Sequence, residues 1–231
     1  MHSVTEFIDE SSDPPVRGFL HQPATAPMAA MVLTHGAGAN SESKLLLAAA
    51  EAFADAGFLV LRCDLPFRQK RPHGPPPPGA AERDRDGLKR AVECVRERIS
   101  GPIYLGGHSY GGRQASILAA NAPELVAGLL LLSYPLHPPR RPAQLRTAHW
   151  PRLVVPALFV HGSRDPLASR DEMNTAMALL TGRHSLLEIE GAGHELFGRK
   201  PNPNFAVEIV AAFTEFIARS KRAETGERSG A

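Results

Sequence analysis

Three residues of this sequence could together carry out nucleophilic acyl chemistry: a serine, an aspartate and a histidine. Ser109 lies in Gly107-His-Ser-Tyr-Gly111, a G-x-S-x-G pattern that follows a short apolar run and precedes a segment of helical character. That order is typical of a nucleophile elbow, a tight turn that exposes the serine hydroxyl. Because this hydroxyl is a weak nucleophile at neutral pH, the chemistry also needs a histidine to accept its proton and a carboxylate to orient the histidine.

Asp165 and His194 are the candidates for these two partners. Asp165 closely follows a predicted strand, and His194 lies in the glycine-rich loop after the last predicted strand. Asp171 is a rival carboxylate, since an Asp-Pro pair such as the one at Asp165 can simply begin a helix. The position just after a strand favours Asp165. Of the ten histidines, only His194 follows the last predicted strand.

Two backbone N–H groups are candidates to stabilise the oxyanion of a tetrahedral intermediate. One is the N–H of Tyr110, directly after the candidate nucleophile. The other belongs to Gly36 or Ala37, in the loop His35-Gly-Ala-Gly38 that follows an early apolar run. Loss of one such donor typically costs about 100- to 1000-fold in rate.

The elements that must position these groups alternate between strand and helix, which indicates a parallel, helix-covered sheet. The carboxyl ends of parallel strands meet at one edge of the sheet, so the His35 loop, Ser109, Asp165 and His194 are expected to converge there. Predicted strands span residues 4–10, 16–21, 29–34, 58–62, 127–133, 155–160 and 185–190, with one more from residue 103 to the elbow; predicted helices span 42–56, 82–99, 111–121, 169–180 and 205–218. The first two strands, joined by a Ser-Ser-Asp-Pro-Pro turn, predict an antiparallel hairpin at one edge.

Two proline-rich connections are candidates for the walls of a substrate site. They span residues 68–79 and 134–155, and the second is too short for a large lid domain. Their arginines are candidates to bind a carboxylate or phosphate of a substrate, with solvated surface charge as the alternative. Tyr134 and Trp150 either line the pocket or pack the second connection onto the body. The candidate arginines are Arg68, Arg71, Arg140, Arg141 and Arg146.

Composition argues against several other classes of protein. With 26 Lys and Arg against 24 Asp and Glu, the overall charge does not favour a nucleic-acid partner. No apolar run approaches the ~20 residues of a membrane span, and the first residues lack the pattern of a secretory signal. The two cysteines, Cys63 and Cys94, do not make a disulfide framework, so we expect a cytoplasmic protein. Without an H-E-x-x-H motif or a Cys/His cluster, neither a metal nor a cofactor is expected.

Together these segments resemble the α/β-hydrolase superfamily, and in particular its small lidless branch close to dienelactone hydrolase. The resemblance covers residues 29–218 and rests on His-Gly-Ala-Gly, Gly-His-Ser-Tyr-Gly-Gly, His-Gly-Ser-Arg-Asp and Gly-Ala-Gly-His. It implies a three-layer α/β-hydrolase fold, with a mostly parallel twisted sheet, an antiparallel N-terminal edge hairpin and no large lid domain. We expect one such domain over residues 1–220, followed by a polar, disordered tail over residues 221–231.

The resemblance also implies a function. Ser109 would be the nucleophile, Asp165 the acid and His194 the base of a serine hydrolase that cleaves an ester, thioester or related acyl bond of a small soluble substrate. Dienelactone hydrolase itself has a cysteine as nucleophile, whereas this chain has a serine. Its substrate therefore does not carry over.

Two other functions compete with this interpretation. Residues 29–64 outline a dinucleotide-binding unit, with Gly36-x-Gly38 after a strand and Asp64 after the next strand. Ser41 occupies the place of the third glycine, and this interpretation leaves the three reactive residues unexplained. A non-catalytic binding module of the same fold is the other alternative, and the presence of all three reactive residues disfavours it.

Overall fold

An eight-stranded sheet forms the centre of the protein in the computed structural model, which describes residues 1–197, 202 and 204–226, with side chains described up to residue 219. The strands are β1 (Ser3–Asp9), β2 (Val16–Gln22), β3 (Ala29–Thr34), β4 (Phe58–Cys63), β5 (Ile103–His108), β6 (Leu129–Leu132), β7 (Ala157–Gly162) and β8 (His184–Ile189). The helices are α1 (Lys44–Asp55), α2 (Pro66–Lys70), α3 (Ala80–Arg96), α4 (Tyr110–Asn121), α5 (Arg170–Met177) and α6 (Phe205–Gly226).

The strand order confirms the predicted fold class. The strands lie in the order β1-β2-β4-β3-β5-β6-β7-β8. β1 pairs antiparallel with β2, and β2 antiparallel with β4, whereas all pairs from β4 to β8 are parallel. The predicted N-terminal hairpin therefore forms one edge of a mostly parallel sheet. The connection between β6 and β7 contains one short 3-10 turn, Trp150–Arg152, and no lid domain.

Helices cover both faces of the sheet and make three layers. Apolar side chains of α1 and α6 pack on one face, and those of α3, α4 and α5 pack on the other. Every residue of β3, β4, β5, β6 and β7 is consequently buried. Burial on both faces is why these strands read as continuous apolar runs rather than alternating ones.

The structure differs from the sequence-based prediction at two helices. α2 was not predicted, and its last residues overlap the segment 68–79 that was predicted as a loop. It begins at Pro66, whose fixed φ suits a first helical turn and whose missing N–H is not needed there. α6 was expected to end near residue 218, and its backbone continues to Gly226. Residues 219–225 contain neither Gly nor Pro, so nothing stops the helix there. The predicted disordered tail is thus helical over residues 221–226, and residues 227–231 lie outside the described residues.

Within the described residues, none of the helices has both the length and the apolar composition of a membrane-spanning helix.

Candidate active site

Ser109 occupies the single residue between β5 and α4, in a strained backbone conformation. Its φ is 51° and its ψ is −113°, a region that costs a residue with a side chain of order 1–3 kcal/mol. The Ser109 N–H donates to the Leu132 carbonyl at 2.8 Å, and the Ser109 carbonyl accepts the Arg113 N–H at 3.0 Å. Both sides of the turn are thereby held, as the G-x-S-x-G pattern predicts for a nucleophile elbow.

The structure brings Ser109, His194 and Asp165 into one hydrogen-bonded line. Ser109 Oγ lies 2.8 Å from His194 Nε2, and His194 Nδ1 lies 2.8 Å from Asp165 Oδ2. The Asp165 side chain is fully buried, and its other oxygen accepts the Leu167 N–H at 2.8 Å. Since a carboxylate accepts, His194 Nδ1 carries a proton in this arrangement and Nε2 is left to accept the serine hydroxyl. In this geometry His194 Nε2 can accept the Ser109 proton.

Two buried histidines support the loops that carry Asp165 and His194. His108 Nε2 donates to the His194 carbonyl at 2.9 Å, and burial lowers the pKa of His108, which keeps the ring neutral. His161 Nε2 donates to the Ala168 carbonyl at 2.7 Å, and its Nδ1 lies 3.8 Å from Asp165 Oδ2. The acceptor of His108 is 86 residues away, so no local pattern in the sequence shows this contact, whereas the Ala168 acceptor of His161 is seven residues further along the chain.

The loop after β3 lies against the candidate nucleophile, as predicted. A Cβ added to Gly36 would lie 2.9 Å from His108 Nδ1 and 3.5 Å from Ser109 Cβ. Among the described residues, the N–H groups of Gly36, Ala37 and Tyr110 have no hydrogen-bond acceptor. Free donors beside a serine hydroxyl are what an oxyanion needs.

The same loop disfavours the dinucleotide interpretation. Asp64, which would have to hold a ribose, accepts the Ser41 N–H at 2.7 Å and lies 3.5 Å from His35 Nε2. Its carboxylate is therefore engaged by the loop itself.

Arg68 is a correction to the predicted substrate-binding residues. Its side chain is buried, and its guanidinium donates four hydrogen bonds to backbone carbonyls. These bonds saturate most of its donors, so Arg68 is not available to bind a substrate anion.

Tyr134 and Trp150 also have to be removed from the predicted substrate-binding residues. The sequence left open whether they line a pocket or pack the second connection onto the body, and the structure shows the second. Their exposed fractions are 1% and 0%. The two rings pack 5.1 Å apart, and both contact Phe159 in the core. The Tyr134 hydroxyl donates to the Arg146 carbonyl at 2.7 Å. Both side chains anchor the second connection onto the body and do not line a pocket.

Of the four remaining predicted arginines, three are exposed and one, Arg146, is half-buried. Arg71, Arg140 and Arg141 are exposed, and Arg71 lines a cavity of about 470 Å³ together with Phe67 and Asp84. Arg146 is half-buried, and its pKa is lowered mainly by burial and to a smaller extent by the neighbouring Arg113 charge.

Within the part of the chain that the structure describes, no cluster of three or more His, Cys, Asp or Glu side chains is arranged to hold a metal ion.

Known proteins share this arrangement of the chain. A family model described as "Alpha/beta hydrolase domain" matches residues 27–220. Dienelactone hydrolase from Anabaena variabilis is similar, with a TM-score of 0.72, 19% identity and coverage of 94% of this chain and 98% of that one. Est1E from Butyrivibrio proteoclasticus is also similar, with a TM-score of 0.71, 16% identity and coverage of 92% of this chain and 99% of that one.

A serine hydrolase without a lid from Xanthomonas campestris is also similar, with a TM-score of 0.61, 17% identity and 94% coverage of each chain. At these identities the solved structures show a common fold, whereas the family model spans most of the chain. The chain therefore belongs to the alpha/beta hydrolase domain family.

Proposed function

We propose that the protein is a serine hydrolase that cleaves an ester, thioester or related acyl bond of a small molecule. The observation that carries the proposal is the continuous line from Ser109 Oγ through His194 to the buried Asp165 carboxylate, with both contacts at 2.8 Å. A hydroxyl, an imidazole and a carboxylate in this order are the requirements of nucleophilic acyl chemistry.

In the proposed mechanism, Ser109 Oγ attacks the acyl carbon while its proton moves to His194 Nε2. The negative charge that develops on the carbonyl oxygen is stabilised by the N–H groups of Tyr110 and of Ala37 or Gly36. Collapse of the intermediate breaks the bond to the leaving group, which takes the proton from His194. Water then attacks the acyl-enzyme by the same steps and releases the acid and free Ser109.

Covalent labelling tests this proposal directly. A fluorophosphonate probe is expected to label the wild type, and Ser109→Ala is expected to abolish labelling, because only an activated serine reacts. Esterase activity on a 4-nitrophenyl ester is expected to disappear in the same variant.

Ser116→Ala is the matched control. Ser116 lies on α4, the helix that follows Ser109, and its Oγ is also 2.8 Å from a histidine nitrogen, Nε2 of His149. Its hydroxyl donates to the Arg113 carbonyl at 2.9 Å, so it is not poised to attack, and labelling is expected to persist. An unlabelled wild type, or equal labelling of Ser109→Ala, would contradict the proposal and favour a non-catalytic binding module.

We further propose that Arg146 favours substrates with an anionic group. Neither Arg146 nor Arg113 forms an ion pair among the described residues, and Arg113 lies one helical turn after Ser109 on α4. The Arg113 charge is close enough to Arg146 to lower the Arg146 pKa. Two neighbouring cations without a carboxylate partner are favourable surroundings for a carboxylate.

A pair of substrates of similar size tests this preference. The ratio of kcat/KM for 4-nitrophenyl hemiglutarate to that for 4-nitrophenyl valerate is expected to exceed one, and to fall roughly tenfold in Arg146→Gln, as loss of a ~1.4 kcal/mol interaction would give. Arg141→Gln removes the same charge from an exposed position of the same connection and is expected to keep the ratio. An equal loss in both variants would show that net charge, not a defined contact, sets the preference.

A further inference from the structure

The candidate oxyanion donors, the N–H of Tyr110 and that of Ala37 or the adjacent Gly36, belong to separate segments, so their spacing depends on what joins these segments. Ala37 lies in the loop after β3, and Tyr110 is the first residue of α4. An oxyanion gains full stabilisation only when donors lie about 2.7–3.1 Å from it. A shift of either segment by a fraction of an ångström therefore weakens the stabilisation of the transition state.

Arg68 holds the first segment, the loop that carries Ala37, through its backbone carbonyls. Its Nη2 donates to the Ala37 carbonyl at 2.8 Å, and its Nε donates to the Ala39 carbonyl at 2.7 Å. The same guanidinium donates to the carbonyls of Arg71 at 2.8 Å and Gly74 at 2.9 Å. Four acceptors fix the orientation of the planar guanidinium. Because Arg68 belongs to α2, these bonds hold the loop that carries Ala37 in a fixed position relative to α2.

Asp84 fixes the second segment to the same short helix. Its side chain lies on α3 and is completely buried. Oδ2 accepts the Tyr110 hydroxyl at 2.8 Å, and Oδ1 accepts the backbone N–H of Phe67 at 3.0 Å. Phe67 directly precedes Arg68, and its ring contacts the rings of both His35 and Tyr110, at centroid distances of 5.7 and 5.8 Å. The chain of contacts therefore runs from Tyr110 through Asp84 and α2 to the Ala37 loop.

We propose that Arg68 and Asp84 are positioning residues, which set the distance between the Ala37 and Tyr110 N–H groups through α2. This inference rests on the proposed function, because it assigns a role only if these groups stabilise an oxyanion. Neither side chain touches the reacting atoms in this role. Both act through the backbone of other residues.

Tyr110→Phe is the most conservative test, because it removes the hydroxyl bonded to Asp84 and keeps the Tyr110 N–H. We expect kcat to fall roughly 5- to 10-fold with little change in KM, less than the ~100-fold or more that follows complete loss of a donor. Tyr134→Phe is the matched control, since it also loses one buried tyrosine hydroxyl that donates at 2.7 Å, to the Arg146 carbonyl. It is expected to lower the melting temperature by a similar amount without this loss of kcat.

Arg68→Gln and Asp84→Asn test the two positioning residues themselves. Both are expected to lower kcat by up to about 100-fold, and Arg68→Lys, with a single ammonium in place of the fork, is expected to restore part of the loss. If Arg68→Gln or Asp84→Asn folds poorly, the kcat values of Tyr110→Phe and Arg68→Lys test the positioning role instead.

A trifluoromethyl ketone inhibitor separates positioning from general destabilisation. Its tetrahedral adduct with Ser109 carries an oxyanion, so its affinity is expected to fall in each variant by the same factor as kcat/KM. Unchanged kcat and inhibitor affinity in Tyr110→Phe and Arg68→Gln, with Ser109 still labelled by fluorophosphonate, would overturn the positioning role alone. A wild type that neither labels nor turns over an ester would overturn the proposed function, and the positioning role with it.

Discussion

The Asp165 carboxylate is held at both of its oxygens, and this defines its relation to His194. One oxygen accepts the Leu167 N–H and the other contacts His194 Nδ1, each at 2.8 Å. Such a carboxylate cannot rotate without losing a hydrogen bond in a buried site. Asp171, the rival carboxylate, instead lies exposed in the first turn of α5. The Asp165 side chain is therefore the one that can orient the histidine.

Asp165→Asn is expected to lower kcat by about 10³- to 10⁴-fold, because an amide at this position favours the wrong tautomer of His194. Asp171→Asn is expected to stay within about twofold of the wild type, since its exposed side chain forms neither a hydrogen bond nor an ion pair with any of the three residues. Steady-state kinetics on one 4-nitrophenyl ester measure both. A comparable loss in the two variants would assign the effect to charge rather than to orientation.

At the scale of residues, local patterns in the sequence predict which side chains meet, and Ser109, His194 and Asp165 do lie together. Ser109, Asp165 and His194 each follow a strand within a few residues, so strand prediction brings them together. Arg68 was assigned wrongly because its acceptors Ala37 and Ala39 are 31 and 29 residues away, and no local pattern shows whether an arginine faces carbonyls or solvent. Asp84 was not found at all for the same reason, since Tyr110 is 26 residues away.

The end of β7 and the loop before His194 are in direct backbone contact. A Cβ added to Gly162 would lie 2.5 Å from the carbonyl oxygens of both Ala192 and Gly193. The Arg164 N–H also donates to the Ala192 carbonyl at 2.9 Å. The two loops that carry Asp165 and His194 are thus packed as one unit.

Gly162→Ala is expected to displace the His194 loop and to lower kcat more than tenfold, with a loss of about 1–3 kcal/mol in the free energy of unfolding, as for other overpacked sites. Gly193→Ala is the control, because a Cβ there meets nothing within 4 Å. It is expected to keep activity within about threefold. Kinetics and chemical denaturation of both variants test this, and equal behaviour would show that the loop adjusts freely.

The elements themselves were largely predictable, because the buried strands read as short apolar runs between glycine-rich loops. β3 agrees with its predicted bounds, and β4 differs by one residue. α2 was missed because its five residues overlap the start of a proline-rich segment and are too few to show a helical period.

Two buried histidines, His21 and His149, make the stability of the whole molecule sensitive to acid. Burial lowers the pKa of both His21 and His149 from 6.5 to about 4. His21 Nε2 accepts the Arg62 Nε–H at 2.8 Å, a bond that protonation would break. Between pH 6.5 and about 4 the unfolded chain therefore binds protons that the folded protein does not. The stability that these neutral histidines contribute is complete above pH 6.5 and is lost as the pH falls to about 4.

We expect the free energy of unfolding to fall by up to about 3 kcal/mol per buried histidine over this interval, at ~1.4 kcal/mol per pKa unit. His21→Gln and His149→Gln remove the titrating group and are expected to reduce the slope of stability against pH. His73→Gln, at an exposed position, is expected to leave the slope unchanged. Urea denaturation at pH 7, 6 and 5 measures it, and equal slopes in all variants would contradict the assignment.

The separation of Ser109 and His194 along the chain has a consequence for synthesis. The two residues are 85 positions apart, so at ~5–20 residues per second the ribosome adds His194 roughly 4 to 17 s after Ser109. Under the proposed mechanism the nascent serine has no base during that interval and cannot be acylated. Reactivity towards a fluorophosphonate would then appear only once β7 and β8 have joined the sheet, which makes the labelled fraction a measure of completed chains.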